Sequence, residues 1–188
     1  VLADTIGGSG LNNLILNTVS NQIETVHIDR AAEWEADNLS FGYITRAGYN
    51  PGATAAIWQR VMEKQGDNAS NFVGEIFSPS DHPSNQERRD NYANKLYEMS
   101  GKHASVKDGT VYVNGNKFIK PAATSSMSSA ERSYFVLGNL AAAYQNGHSK
   151  QQATASGGTL YLGAQNIMTP VNGDPSAEEL ATQLNKIK

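Results

Sequence analysis

The chain contains no cysteine. Disulfide bonds and cysteine-ligated zinc are therefore excluded. The absence fits an exported protein, although a cytosolic one can also lack cysteine. No stretch approaches the roughly 20 apolar residues that a membrane span needs. The apolar stretch 11–19 is too short and carries Asn12, Asn13 and Asn17. There is no basic block: 15 Lys and Arg stand against 18 Asp and Glu, a net charge of −3. Nucleic acid is thus set aside as a partner. Histidine is scarce, at four residues: His27, His82, His103 and His148. No two are spaced i, i+4, and no His-Glu-x-x-His occurs, so the usual two-histidine helical zinc clamp is missing. The sequence opens at Val1 without Met, signal or pro-region, which leads to the expectation of a trimmed piece of a longer protein.

What is present describes a globular chain. Its 188 residues are 39% hydrophobic and 18% charged, enough for one ordinary domain or two small ones. Ser9 can cap a helix over about 10–24. Asp29 is a candidate N-cap for a helix to Ala47, closed by Gly48. Asn50-Pro51 starts a third helix with Pro51 in its first position, ending at Gly66. Residues 67–83 read as a long polar loop. Ser84-Asn85-Gln86-Glu87 is a capping box opening a helix to about Ser100. After Gly101 the character changes. Residues 104–119 alternate like strands, with turn signals at Asp108-Gly109 and Asn114-Gly115 and a hairpin around the second. Ser128-Ser129-Ala130-Glu131 opens a strong amphipathic helix closed by Gly147, whose Tyr134, Phe135, Leu137 and Tyr144 stripe reads as core. Residues 151–158 read as polar and loose. A second hairpin surrounds Gly163, and Ser176-Ala177-Glu178-Glu179 caps a last helix to Lys188. The expected fold is α+β: a mainly helical portion, 1–102, and a small α+β portion, 103–188, with two β-hairpins. The hairpin-helix-hairpin-helix order fits an internal duplication, but residue identity between its halves is poor.

The segment from Ala31 to Tyr43 carries the first chemical clue. At about 100° per residue, Asp37, Ser40 and Ile44 fall within roughly 40° of Glu33. Ala32, Ala36, Leu39 and Tyr43 form an apolar stripe on one side, and Trp34 with Phe41 forms another. Two carboxylates one turn apart thus sit inside a broad apolar arc. That is costly unless a cation or several donors meet them. Either an Arg or Lys neutralises the pair, or it faces a metal.

Three segments then occur in order: Glu33-Trp34-Glu35-Ala36-Asp37, Arg46-Ala47-Gly48-Tyr49-Asn50-Pro51-Gly52-Ala53, and His82-Pro83-Ser84-Asn85-Gln86-Glu87-Arg88. Together they resemble the M48 family of zinc metallopeptidases, with its Glu-x-x-x-Asp helix, Ala-Gly-Tyr-x-Pro turn and His-Pro-x-x-x-x-Arg segment. The resemblance covers about residues 29–97, and residues 103–188 lie outside it. It implies that Glu33 is the third protein ligand of a zinc site completed by two histidines. It implies that Asp37 orients a metal-bound histidine. His82 would approach the metal or an oxyanion, and Arg88 would tie its segment to the catalytic core through a carboxylate. The family's His-Glu-x-x-His, which supplies two ligands and the general base, should lie upstream of Glu33 and is absent.

The resulting expectation is the C-terminal part of a zinc-dependent metalloendopeptidase acting on protein or peptide substrates. The chain alone should be inactive and bind zinc weakly or not at all. The alternative is a non-catalytic interaction protein on a degenerate peptidase fold. Without the upstream helix, Glu33 and Asp37 should be paired with Arg88, His82, water or a partner chain, and a homodimer through the uncovered surface is expected. Location is expected outside the cytoplasm, periplasmic or secreted, or at a membrane.

Overall fold

A computed structural model describes residues 30–65 and 83–188. The helix expected over 10–24, the candidate cap Asp29, His27, His82 and all of the loop 67–83 except Pro83 lie outside the described residues. Among those described, the fold is α+β, with five α-helices and two three-stranded antiparallel sheets. Helix α1 covers 30–46 and ends where Gly48 takes a left-handed φ of 76°. Helix α2 is Ala53–Gln65. It starts two residues later than the Pro51 signal suggests. Asn50 Oδ1 accepts from the Gly52 N–H at 2.8 Å and holds residues 50–52 as a turn. The three remaining helices, α3 (Asn85–Met99), α4 (Ser129–Gln145) and α5 (Ala177–Ile187), each begin with a complete capping box. Ser84, Ser128 and Ser176 accept from the third residue on, and Glu87, Glu131 and Glu179 reach back to the serine N–H.

Strands β1 (Ala104–Lys107), β2 (Thr110–Val113) and β3 (Asn116–Ile119) form one meander. Strands β4 (Ala153–Ser156), β5 (Thr159–Leu162) and β6 (Gln165–Met168) form the other. The first meander fills the strand-like stretch 104–119 with its two turn signals, whereas the second expected hairpin is extended by a third strand. In particular, the segment read as loose, 151–158, contains β4. Its signal is weak because Ala-Thr-Ala-Ser has little apolar bulk. What holds it is remote: the Asn185 side-chain amide donates to Ala153 O and accepts from Ala153 N–H, both at 2.8 Å.

The two meanders match residue by residue. Ala104 pairs with Val113 as Ala153 pairs with Leu162, and the register shifts at the same place, after Val111 and after Leu160. Ala104/Ala153, Gly109/Gly158, Thr110/Thr159, Tyr112/Tyr161 and Pro121/Pro170 are identical at equivalent positions. Each meander leads into a boxed helix. The second half of the chain is therefore an internal duplication of a βββα unit, preserved in register and capping more than in residue identity. The units interlock. Helix α4 lies on β1, β2 and the other unit's β6, while α5 lies on β4, β5 and the other unit's β3. Asn139 Nδ2 donates to Ile167 O at 2.9 Å, and Gln183 Nε2 to Lys117 O at 3.1 Å, across that exchange.

One clamp joins the two strand-to-helix linkers. Arg132 Nη2 donates to Asp174 Oδ2 at 2.8 Å, and Asp174 also accepts from the Ala122 and Val171 amides at 2.6 and 2.9 Å. Burial pushes the Asp174 carboxyl up, but the Arg132 and backbone donors outweigh it and hold it below the usual carboxylate range.

The core runs without a break across residue 102. Ala55, Tyr92 and Leu96 belong to the same buried cluster as Val111, Leu137, Leu160 and Leu180. The closest approach is at the 50–52 turn. Asn50 Nδ2 donates to Phe135 O at 2.9 Å. A Cβ on Gly52 would overlap the Tyr134 carbonyl, and one on Gly138 would overlap Gly52 itself.

Candidate functional site

Helices α1 and α3 run side by side in the same direction. Arg30 meets Glu87, Asp37 meets Arg88, and Ser40 meets Tyr92 in succession. This alignment brings the acids of α1 to a single cation. Arg88 Nε donates to Asp37 Oδ2 at 2.8 Å and Nη2 to Oδ1 at 2.5 Å, a two-pronged carboxylate contact. Its third nitrogen, Nη1, lies 3.7 Å from Glu33 Oε2. The guanidinium carbon sits 3.9 Å from the centre of the Trp58 ring, contributed by α2. The Tyr92 hydroxyl donates to Asp37 Oδ1 at 2.9 Å, and Ser40 Oγ lies 2.7 Å from that hydroxyl. Burial raises the Tyr92 phenol to about 12, with the neighbouring Asp37 adding to the shift and the Ser40 hydrogen bond opposing it.

The two acids therefore differ. The Asp37 side chain is 5% exposed and takes three donors, leaving about one of its four acceptor positions open. The Glu33 side chain is 30% exposed and reaches Arg88 only at salt-bridge distance. Asp37 is fixed, and Glu33 sits at the rim of the same cluster.

The broad apolar arc expected around this pair is not buried on both sides. Trp34 and Phe41 are half-buried, Phe41 against Tyr92 of α3, but Ala32 and Ala36 are exposed, and Leu39 and Tyr43 are 49% and 61% exposed. Asp37 is buried by α3 and its Arg88, along one narrow seam, and not by a stripe on α1. No motif in the sequence marks Tyr92, Ser40 and Trp58 as members of the site. The usable signal was the Arg88–Tyr92 spacing of four on α3, which sets both groups over the Asp37–Ser40 face. His82 lies outside the described residues. His103 is exposed, stacked on Tyr144 at 5.1 Å, with Nδ1 2.6 Å from Asn114 Oδ1. His148 is partly buried. Neither belongs to the cluster.

Among the described residues no group of three or more His, Asp or Glu is arranged to hold a metal ion. They supply one rim carboxylate, Glu33, which alone does not make a zinc site. No described helix is long and apolar enough to cross a membrane. No protein-family model matches this chain, and neither a curated protein nor a solved structure matches it significantly.

Proposed function

We propose that this chain is the C-terminal part of a zinc-dependent metalloendopeptidase resembling the M48 family, the intact protein hydrolysing peptide bonds in protein substrates. The observation that carries the reading is the unequal treatment of the two acids on α1. Arg88 and Tyr92 give Asp37 three donors and fix it, while Glu33, one turn earlier on the same face, stays at the rim with partial exposure. A carboxylate at the rim of the cluster stands where a metal ligand could meet an incoming helix, and a buried, oriented acid beside it can position a ligating histidine. The remaining ligands and the general base would come from a His-Glu-x-x-His helix that this sequence does not contain. Zinc held there would activate water and polarise the scissile carbonyl. Arg88 fixes Asp37 and joins α1 to α3, Asp37 holds the open acceptor position, and His82 would stand close to the reacting carbonyl. An extracytoplasmic location follows from the same reading.

The second reading, an interaction protein on a degenerate peptidase fold, is favoured by the exposed Leu39 and Tyr43 on α1. One experiment separates the two. The chain is joined to the segment encoded upstream of it in its own gene and assayed for zinc-dependent cleavage of an unfolded protein. Activity that falls at least about 100-fold in Glu33→Ala supports the peptidase. An upstream segment without His-Glu-x-x-His, or a Glu33→Ala variant as active as the parent, overturns it.

A further inference from the structure

In an antiparallel pair, alternate residues bond to the neighbouring strand, and those between turn their N–H and C=O the other way. The Asn114 N–H donates to His103 O at 2.8 Å. The pairs Ser105/Tyr112 and Lys107/Thr110 therefore carry the β1–β2 bonds, and Ala104 and Val106 face away from β2. Strand β1 is an edge of its sheet. Ala104 is satisfied on that edge, because its N–H donates to Ser100 Oγ at 2.9 Å. Val106 has no backbone partner outside its own sheet and no side-chain partner among the described residues. The second unit meets the residue equivalent to Ala104 with the Asn185 amide, which occupies the edge as a strand's peptide group would.

A cleft of about 640 Å³ lies along this edge, between β1, α3 and the start of α4. Ala93 and Tyr97 of α3 line it, with Tyr134 of α4. Tyr134 is 6% exposed, and its hydroxyl makes no hydrogen bond among the described residues. The charges of the lining balance: Arg89 is engaged by Asp90 at 2.7 Å and Gln59 at 3.1 Å, and Lys107 is offset by Asp108. The cleft thus selects neither an anion nor a cation. Among the described residues, its groups without a protein partner include the outward N–H and C=O of Val106 and the Tyr97, Ser105 and Tyr134 hydroxyls. A strand-type N–H and C=O pair on a sheet edge, with hydroxyl donors beside it, is the complement of an extended peptide backbone.

We propose that this cleft takes an extended segment of another polypeptide as a fourth strand on β1, paired with Val106 and receiving a hydrogen bond from the Tyr134 hydroxyl. The site is separate from the Asp37–Arg88 cluster and does not depend on the peptidase reading.

Amide hydrogen exchange followed by NMR on the full 188-residue chain tests it, with reduced, carboxymethylated α-lactalbumin as a permanently unfolded probe and native α-lactalbumin as control. In the free chain the Val106 amide should exchange fast while Ser105 and Lys107 are protected. The unfolded probe alone should slow Val106 by at least about tenfold. Val106→Pro removes only an outward N–H, a change that edge strands tolerate, and should weaken binding about tenfold, whereas Val106→Ala should stay within about threefold. Tyr134→Phe removes a hydroxyl unbonded in the free chain. It should leave the melting temperature unchanged and weaken binding about fivefold. Three results each overturn the proposal: no Val106 protection at about 1 mM probe, probe binding by Val106→Pro or Tyr134→Phe equal to the parent's, or a Val106 amide already protected in the free chain. The last would show that a segment of this chain or a second copy already covers the edge. If Val106→Pro does not fold, the exchange result and Tyr134→Phe decide.

Discussion

At the scale of single residues, the Asp37–Arg88 pair and Glu33 should behave oppositely on truncation. Removing Arg88 leaves the buried Asp37 carboxylate without its cation, so Arg88→Ala should cost about 3 kcal/mol. Glu33→Ala removes a partly exposed acid with a longer contact and should cost less than about 1 kcal/mol. Denaturant unfolding of the two variants reads this directly, and equal losses would place Glu33 in the structural cluster. Tyr92 supplies a pH test. Its phenol titrates near 12 in the folded chain against 10.0 for the ordinary group. A raised folded value stabilises below the unfolded value and is lost as pH rises through the folded one. Stability should therefore fall between about pH 10 and 12 in the parent. Tyr92→Phe should lose much of that alkaline slope in unfolding curves taken across the range. The sequence made the acids legible through their spacing, and the resemblance named Arg88. It concealed Tyr92, Trp58 and Ser40. An aromatic or a serine at a core-facing position looks the same whether it fills space or completes a hydrogen-bond network.

At the scale of elements, helix starts were the most legible feature, because a capping box is a local device that works wherever its four residues stand. All three boxes formed. The start of α2 and the existence of β4 were less legible, since both depend on distant groups: the docking of Asn50 on α4, and the Asn185 amide on Ala153. The Gly52–Gly138 approach is the sharpest such constraint. Gly138→Ala puts a methyl into backbone that cannot yield as a side-chain tip can. It should cost about 2 kcal/mol or more despite the better helix propensity of alanine. A melting temperature unchanged or raised in Gly138→Ala would refute the close packing of α2's leading turn on α4.

At the scale of the whole molecule, the sequence suggested a helical portion and a separate α+β portion with a weak internal repeat. Repetition is stronger in backbone than in side chains, because strand register, turn geometry and helix caps tolerate many residue pairs such as Val113/Leu162 and Phe118/Ile167. The exchange of helices between units was not readable. It depends on which apolar face meets which sheet, and nothing local to either helix encodes that choice. The consequence is cooperative. With α4 lying on β6, α5 on β3 and the core continuous to α2 and α3, residues 83–188 should unfold with α1 and α2 in one transition. Calorimetric and van't Hoff enthalpies should agree. A chain ending at residue 150 loses β6 from α4 and α5 from β3, and should not give a cooperative melt. Two resolved transitions, or a stable first unit, would contradict the interlock.

In the proposed reading Glu33 is a zinc ligand whose partner ligands lie outside this chain, while Asp37 is held for them by Arg88. The most direct measurement is the zinc content, after dialysis against metal-free buffer, of the chain joined to its natural upstream segment. One zinc per protein is expected for the parent, loss of that zinc in Glu33→Gln with the melting temperature of the metal-free protein unchanged, and none retained by residues 1–188 alone. Stoichiometric zinc undiminished in Glu33→Gln, or no zinc in the extended protein, would contradict it.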